Sequence, residues 1–226
     1  LRAGRPNVVT LDMGGTSADV ALIEDGRTEI AFQRDVAGFP IRLAMVEIDT
    51  VGAGGGSIAW FDRDGLLKVG PISAGAVPGP ACYGQGGTEP TVTDANLVLG
   101  RLSPTGLLDG AMPLDPVVAE TSLKPVAEKV GVSLQEAALG VLAIAVANMT
   151  RSVRRMSVER GRDPREFVLM AFGGAGALHA REVAAELGMG EVLVPPSPGI
   201  VCAEGLLVSD QKEDFVASLR LPLHAE

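Results

Sequence analysis

The chain has 226 residues, a formal net charge of −9, and 46% hydrophobic and 21% charged residues, which is typical of a globular domain rather than a disordered chain. The acidic balance argues against a nucleic-acid partner, because an acidic surface repels a phosphate backbone. The two cysteines and two histidines lack metal-ligand spacing, which argues against a zinc site, and lone thiols favour the cytoplasm. No run of about 18 apolar residues is present, so we expect no membrane partner.

The N-terminal part of the chain is predicted to form strands around two glycine turns. Strand-forming residues at 7–12 and 18–24 predict a hairpin, and residues 28–41 supply another extended segment. Two further strands, at 46–51 and 57–61, flank the second turn, G-A-G-G-G.

The next segment, residues 62–116, is rich in Gly, Pro and Asp. This composition predicts loops, with one short helix at 94–101. We expect the segment to be an insertion or lid within the domain.

The C-terminal half is predicted to alternate helices with short strands. A long helix is predicted over 133–161, because Ser133 and Glu136 form a capping box and apolar residues follow at helical spacing. The segments predicted after it are a strand at 167–172, a glycine turn at 173–176, a helix at 177–187, a strand at 191–194 and a helix at 198–208. The resulting order, β-β-β-α-β-α-β-α, predicts an α/β fold that can bury both faces of a sheet.

The first glycine turn lies in the stretch V-V-T-L-D-M-G-G-T-S-A-D-V-A-L-I-E-D-G. Gly14 and Gly15 let a phosphate approach the backbone, whose successive N–H groups form an anion-binding concavity. Thr16 and Ser17 add hydroxyl donors, and a carboxylate at a strand end, here Asp12, can hold Mg²⁺ through water. The alternative interpretation is a tight hairpin in which aspartate is only a turn former.

The turn Gly173-Gly174-Ala175-Gly176 lies between a strand and a helix. Its free N–H groups and the helix dipole favour a phosphate or a polar nucleotide edge. The turn lacks the third glycine of a dinucleotide fingerprint, and the chain contains neither a P-loop nor a G-x-S-x-G motif.

The middle turn places Gly54, Gly55 and Gly56 in a row. Three consecutive glycines are costly in a folded chain, so another group is expected to approach this backbone closely. That group can be a phosphate, a substrate or another strand, and ligand contact and packing are both open.

A D-x-G-G-T hairpin followed by a helix and a strand–G-G-x-G–helix unit resembles the superfamily of actin, sugar kinases and heat-shock-chaperone ATPases. The resemblance implies a ribonuclease H-like, actin-like ATPase domain over residues 1–226, with ATP and Mg²⁺ as cofactors. The phosphate hairpin is matched by Asp12, Gly14, Gly15, Thr16 and Asp19, with Ser17 beside them. The adenosine turn is matched by Gly173, Gly174, Ala175 and Gly176.

Five blocks narrow the resemblance to the hydantoinase A/oxoprolinase family. In chain order they are L-D-M-G-G-T-S-A-D-V-A-L, V-G-A-G-G-G-S-I-A-W, G-P-A-C-Y-G-Q-G-G-T-E-P-T-V-T-D-A-N-L-V-L-G-R-L, A-F-G-G-A-G-A-L-H-A and P-P-S-P-G. The resemblance implies an enzyme that hydrolyses a cyclic amide, such as hydantoin or 5-oxoproline, after ATP activates it by phosphoryl transfer. The alternatives are the ATP-using subunit of an acetone- or acetophenone-type carboxylase and a non-enzymatic actin-like nucleotide-binding module.

The same resemblance implies partners and residue roles. Family members are larger, so we expect this chain to be part of a longer protein with an N-terminal domain that carries a second D-x-G-G-T hairpin, and a hydantoinase B-type subunit as partner. Asp12 is the expected catalytic residue, and Asp12 and Asp19 are the expected metal ligands. The glycines of the middle turn and Asp94 are candidates for substrate contact. Asp49 departs from the family pattern, because many relatives have His or Arg there.

Overall fold

A computed structural model describes residues 4–36, 38–211 and 213 of the chain. In chain order its strands are β1 (Val8–Met13), β2 (Ala18–Glu24), β3 (Arg27–Thr28), β4 (Ile30–Ala31), β5 (Arg34–Val36), β6 (Phe39–Ile41), β7 (Met45–Val46), β8 (Asp49–Val51), β9 (Ser57–Phe61), β10 (Leu67–Ser73), β11 (Val168–Phe172) and β12 (Val192–Leu193). Its helices are α1 (Val92–Val98), α2 (Pro116–Val130), α3 (Leu134–Met156), α4 (Gly176–Leu187) and α5 (Val201–Val208). The protein is therefore of the mixed α/β class.

The central sheet has six strands, in the order β12-β11-β1-β2-β3, and β8 also pairs with β2. β1 runs antiparallel to β2 as a hairpin, whereas β11 and β12 are added parallel to β1. Strands β3 and β8 pair with opposite ends of β2, so they share one edge of that strand. The first and third glycine turns therefore follow two neighbouring strands.

The two faces of the sheet differ in burial because side chains alternate along each strand. Val9, Leu11 and Met13 of β1 are buried in the main core, which also contains the apolar sides of α3 and α4. On the opposite face Thr10 and Asp12 are only half-buried. Val8 and Val168 on this second face are buried, so the expected burial of both faces is confirmed in part, and the less buried portion carries the aspartates.

Helix α3 follows the sequence prediction closely at its start. Ser133 is the N-cap and exchanges hydrogen bonds with Glu136, which is the predicted capping box. The α-helix ends at Met156, and a 3₁₀ turn then leads to Gly161 in a left-handed conformation. By length and composition, helix and turn together are apolar enough to cross a membrane. However, 56% of their most apolar stretch is buried inside the fold, as expected of a core helix.

The segment 62–116 contains more regular structure than predicted. β10 pairs antiparallel with β9, and its strand pattern is hidden in the sequence by Gly70-Pro71, where the register shifts. Helix α1 begins at Val92, two residues before the predicted start, because Thr91 is the N-cap and Asp94 is the third helical residue. The role of this segment as an insertion or lid stays a prediction.

Helix α2 was not predicted, although its ends carry clear signals. Asp115 caps its N-terminus by accepting from the N–H groups of Val117 and Val118, and Pro116 occupies the first helical position. Gly131 ends the helix in a left-handed conformation. The internal Pro125 interrupts the helical pattern, which explains why the stretch does not read as a helix.

The predicted extended segment 28–41 is confirmed as β-structure, although it is divided among short strands. β4 pairs with β7, and β5 pairs with β6, each as a separate two-stranded ribbon. Phe32 and Phe39 of this region are mostly exposed.

Candidate functional site

The β1–β2 hairpin places its two aspartates side by side. Asp12 and Asp19 are directly opposite each other in the antiparallel register, so both side chains project from the half-buried face of the sheet. The turn between them is closed by a hydrogen bond of 3.0 Å from the Gly14 N–H to the Ser17 carbonyl. The sequence prediction of a hairpin bearing two carboxylates is confirmed in geometry.

The third glycine turn lies against the first because β11 is the parallel neighbour of β1. The Ala175 N–H donates to the Met13 carbonyl at 2.9 Å. Gly173 has φ +80°, and a Cβ at this position would overlap Asp12 Oδ1 and the Met13 carbonyl. Only glycine therefore permits this close approach of the turn to Asp12.

The middle turn packs against the backbone carbonyls of the first turn. The Gly55 N–H donates to the Gly14 carbonyl at 3.0 Å, and the Gly56 N–H donates to the Gly15 carbonyl at 2.6 Å. A Cβ on Gly54 would overlap the backbone at Gly15. Backbone packing therefore accounts for these glycines, and contact of Gly54, Gly55 or Gly56 with a substrate stays a prediction.

A cleft of about 160 Å³ opens where the three turns meet. Its apolar walls include Leu102, Leu107 and Leu178, and Gly174 and Ala175 form part of its rim. Polar groups in the lining come from Tyr83, Thr93 and Asn96. A mostly apolar cleft with a few polar groups is typical of a small-molecule site.

The two lining hydroxyls, of Thr93 and Tyr83, differ in their surroundings. Thr93 Oγ1 donates to the Gly55 carbonyl at 2.8 Å, which ties helix α1 to the middle turn. Burial raises the pKa of Tyr83, so its hydroxyl keeps its proton at neutral pH.

Beside the cleft, Asn96 of α1 meets His179 of α4. Asn96 Nδ2 lies 3.2 Å from His179 Nε2 and donates to the Val92 carbonyl at 3.0 Å. With the amide as donor, Nε2 accepts and the ring proton lies on Nδ1, which has no partner among the described residues. Burial, followed by the nearby charge of Arg101, lowers the pKa of His179 to about 4, so the ring is neutral at pH 7.

Asp94 is fully buried and its carboxylate is occupied by neighbouring donors. It accepts from the N–H groups of Ala81, Cys82 and Thr91 and from the Thr91 hydroxyl, at 2.7–3.3 Å. These bonds anchor the G-P-A-C-Y loop to the start of α1. Substrate contact by Asp94 stays a prediction, and its observed contacts favour a structural role.

Each aspartate of the hairpin receives a hydrogen bond from outside the hairpin. Cys202 Sγ of α5 donates to Asp12 Oδ2 at 2.9 Å, and this bond raises the pKa of the thiol to about 11. Thr50 Oγ1 of β8 donates to Asp19 Oδ1 at 2.5 Å. Neither contact was predicted, because Thr50 and Cys202 lie far from their partners in sequence.

The carboxylate pair fits magnesium better than a metal that needs many protein ligands. No group of three or more His, Cys, Asp or Glu side chains is clustered within the described ranges. Mg²⁺ is commonly held by one or two carboxylates together with water and substrate phosphates. Asp12 and Asp19 supply two carboxylates beside a phosphate-type turn, so the residues present fit Mg²⁺ bound with a nucleotide.

Fold and site together define a mixed α/β domain in which three glycine turns meet at one cleft and two of them, the first and the third, adjoin a pair of carboxylates. The chain belongs to the hydantoinase/oxoprolinase family, whose model matches residues 1–215.

Known proteins of this kind are similar over nearly the whole chain. The chain is 45% identical to caprolactamase subunit alpha of Pseudomonas jessenii over 224 residues, which are 99% of this chain and 32% of that protein. The crystal structure of ATP-dependent caprolactamase from Pseudomonas jessenii superimposes with a TM-score of 0.85 at 46% identity, covering 92% of this chain and 30% of that one. The nucleotide-free structure of acetone carboxylase gives a TM-score of 0.86 at 34% identity, with the same shares of the two chains. The chain therefore spans about a third of the length of these relatives.

Proposed function

We propose that this chain is the nucleotide-binding part of an ATP-dependent enzyme that hydrolyses cyclic amides, and that its domain is one half of an actin-like ATPase. The observation that carries the proposal is that the first and third glycine turns line one cleft, while the third turn approaches Asp12, which is paired with Asp19. Family membership and the similarity to caprolactamase support the substrate class.

In this proposal the first turn binds the phosphates. The N–H groups of Gly15, Thr16 and Ser17 donate to no other described residue, so they are available to an anion. The turn at 173–176 and the apolar cleft beside it hold the adenosine. Asp12 and Asp19 would hold Mg²⁺, which would supply positive charge to neutralise the phosphates.

The chemistry follows from the low reactivity of an amide. Transfer of the terminal phosphoryl group of ATP to the amide oxygen releases ADP and makes the amide carbon more electrophilic. Water then adds to that carbon, the ring C–N bond breaks so that the amine leaves, and hydrolysis of the resulting acyl phosphate gives the ring-opened acid and phosphate. The residues of this chain contribute positioning and charge neutralisation rather than covalent chemistry. Asp12 is the proposed catalytic residue because its carboxylate lies between the strand end and both turns.

The partners of the site are also part of the proposal. The chain spans about a third of its relatives, and the aspartates lie on a half-buried sheet face next to α5, whose Leu206, Leu207 and Val208 are mostly exposed. These surfaces are where a preceding N-terminal domain with its own hairpin would complete the cleft. A hydantoinase B-type subunit is the proposed second partner, and the cytoplasm is the proposed location.

The similarity to acetone carboxylase supports one alternative, in which ATP activates a ketone for carboxylation. The test is phosphate release by the full-length protein with its partner subunit, in the presence of hydantoin, 5-oxoproline, caprolactam, or acetone with bicarbonate. We expect a cyclic amide to stimulate ATP hydrolysis and to yield the ring-opened acid in equal amount. Stimulation by acetone with bicarbonate alone would identify a carboxylase, and ATP binding without stimulation by any compound would identify a non-enzymatic module.

A further inference from the structure

Strand β8 places two neighbouring residues on opposite faces of the central sheet. Thr50 is directly opposite Asp19 and Asp49 is directly opposite Val20 in the antiparallel register. Because residues opposite each other in a ladder share a face, Thr50 projects to the face of the aspartates and Asp49 to the face covered by α3. One short strand therefore connects the hairpin to the long helix.

On the aspartate face the contact is a single hydroxyl. Thr50 Oγ1 donates to Asp19 Oδ1 at 2.5 Å, a length typical of a hydrogen bond to a charged carboxylate. A neutral donor of this kind fixes the orientation of Asp19 and leaves its negative charge uncompensated. It also leaves Oδ2 without a hydrogen bond to any described residue. An arginine in the same place would neutralise the charge that a cation needs.

On the helix face β8 is held by a half-buried ion pair. Arg155 donates to Asp49 Oδ2 from Nη2 at 2.6 Å and from Nε at 3.1 Å. The buried Ser152 hydroxyl donates to the same oxygen. Three donors on one carboxylate oxygen define the position of β8 on α3. They therefore also keep Thr50 opposite Asp19 in the register with β2.

We infer that Thr50 is a positioning residue for Asp19, and that the cluster of Asp49, Ser152 and Arg155 holds β8 so that Thr50 keeps this position. The inference rests on the proposed role of Asp19 toward Mg²⁺. It assigns a function to Asp49, because its carboxylate accepts the hydrogen bonds by which α3 holds β8.

The test compares Thr50→Val with Thr50→Ser in the full-length protein. Valine keeps the size and removes the donor, whereas serine keeps the donor. Calorimetry would measure ATP affinity at a series of Mg²⁺ concentrations, and phosphate release would give the Mg²⁺ concentration for half-maximal rate. We expect Thr50→Val to raise that concentration about tenfold, which corresponds to roughly 1.4 kcal/mol, and Thr50→Ser to remain within about twofold of wild type.

The matched control is Thr28→Val. Thr28 is an exposed threonine of β3, which pairs with the same edge of β2 but opposite Ile23, away from Asp19. We expect this variant to keep the wild-type Mg²⁺ dependence. Asp49→Asn should shift the Mg²⁺ dependence in the same direction as Thr50→Val but by less, because it acts through the position of β8.

Two results would overturn the inference and leave the proposed function intact. One is an unchanged Mg²⁺ dependence of binding and rate in a folded Thr50→Val protein. The other is equal impairment of the valine and serine variants, which would mean that the hydroxyl is not the group that matters. A wild-type protein that binds no ATP at any Mg²⁺ concentration would instead overturn the proposed function, and the inference with it.

Discussion

At the residue scale the strongest feature is the pair of carboxylates at the hairpin. Two aspartates opposite each other on a strand pair repel, and such a pair is unfavourable for folding unless a cation or donors compensate it. Here each accepts one hydrogen bond, from Cys202 and Thr50 respectively, and neither forms an ion pair with a described residue. No ion pair with a described residue offsets the repulsion between the two carboxylates, which favours a functional role for the pair.

The first prediction concerns Asp12. Asp12→Asn in the full-length protein should lower Mg²⁺-dependent ATP hydrolysis by a factor of about 10²–10³, because it removes a negative charge placed to hold the cation that neutralises the phosphates. The hydrogen-bonding shape is retained and one charge of a repelling pair is removed, so the thermal midpoint should not fall. Asp25→Asn is the matched control, since Asp25 is an exposed turn residue at the far end of the same hairpin. Wild-type ATPase activity in Asp12→Asn would refute the catalytic role.

The second prediction concerns the pH dependence of His179. Its pKa in the folded protein is about 4, against an ordinary value of 6.5, so the unfolded chain binds more protons between these two values. The folded protein keeps His179 neutral, so its free energy of unfolding is highest above pH 6.5. It decreases by about 3 kcal/mol in total as the pH falls toward 4.

Urea denaturation between pH 7 and pH 4 would measure this loss. His179→Gln cannot titrate, so its loss of stability over the same pH range should be smaller than that of wild type by about the same 3 kcal/mol, whatever its absolute stability. Proton NMR offers an independent measurement, because the chain has two histidines and His224→Gln leaves only one. An imidazole that titrates near pH 6.5 in the folded protein would contradict the prediction.

At the element scale the local features were predictable and the long-range ones were not. The β1–β2 hairpin and the start of α3 were predicted because their signals, alternating apolar residues and a capping box, lie within a few residues. Strand β10 was missed because Gly70-Pro71 interrupts its pattern, and α2 because Pro125 does so. The packing of Gly173 on Asp12 depends on parallel pairing of β1 with β11, which no local pattern encodes.

The third prediction separates the structural and substrate interpretations of Asp94. Asp94→Ala should destabilise the protein by about 3 kcal/mol or more, because it leaves several buried donors unsatisfied. The loop at 79–88 should then be cleaved faster by a protease of broad specificity. Glu89→Ala, a change of an exposed carboxylate in the same segment, is the control. If Asp94→Ala retains wild-type stability and loses only activity with a cyclic amide, the substrate interpretation is correct.

At the scale of the whole molecule, the sheet has one covered and one half-buried face, and the aspartates are on the second. The first turn, the third turn and the carboxylates can contact a nucleotide from one side only. The resemblance to actin-like ATPases implies that phosphates lie between two hairpin-bearing domains, and this chain has one D-x-G-G-T hairpin. In the proposed two-domain site, this domain alone would supply only part of the donors and would leave the terminal phosphate in water, where electrostatic stabilisation is weak.

The last prediction is therefore that the 226-residue chain, expressed alone, folds and binds ATP weakly but does not turn it over. Folding is expected because one face of the sheet, α3 and α4 form a continuous core. Binding would be measured by calorimetry and turnover by Mg²⁺-dependent phosphate release, with the Asp12→Asn form of the same chain as the control for contaminating ATPases. Release at about 1 s⁻¹ or faster that disappears in Asp12→Asn would mean that this half of the cleft suffices for phosphoryl transfer. Restoration of turnover by adding the remainder of the full-length protein would instead support a two-domain site, because only the missing donors are then supplied.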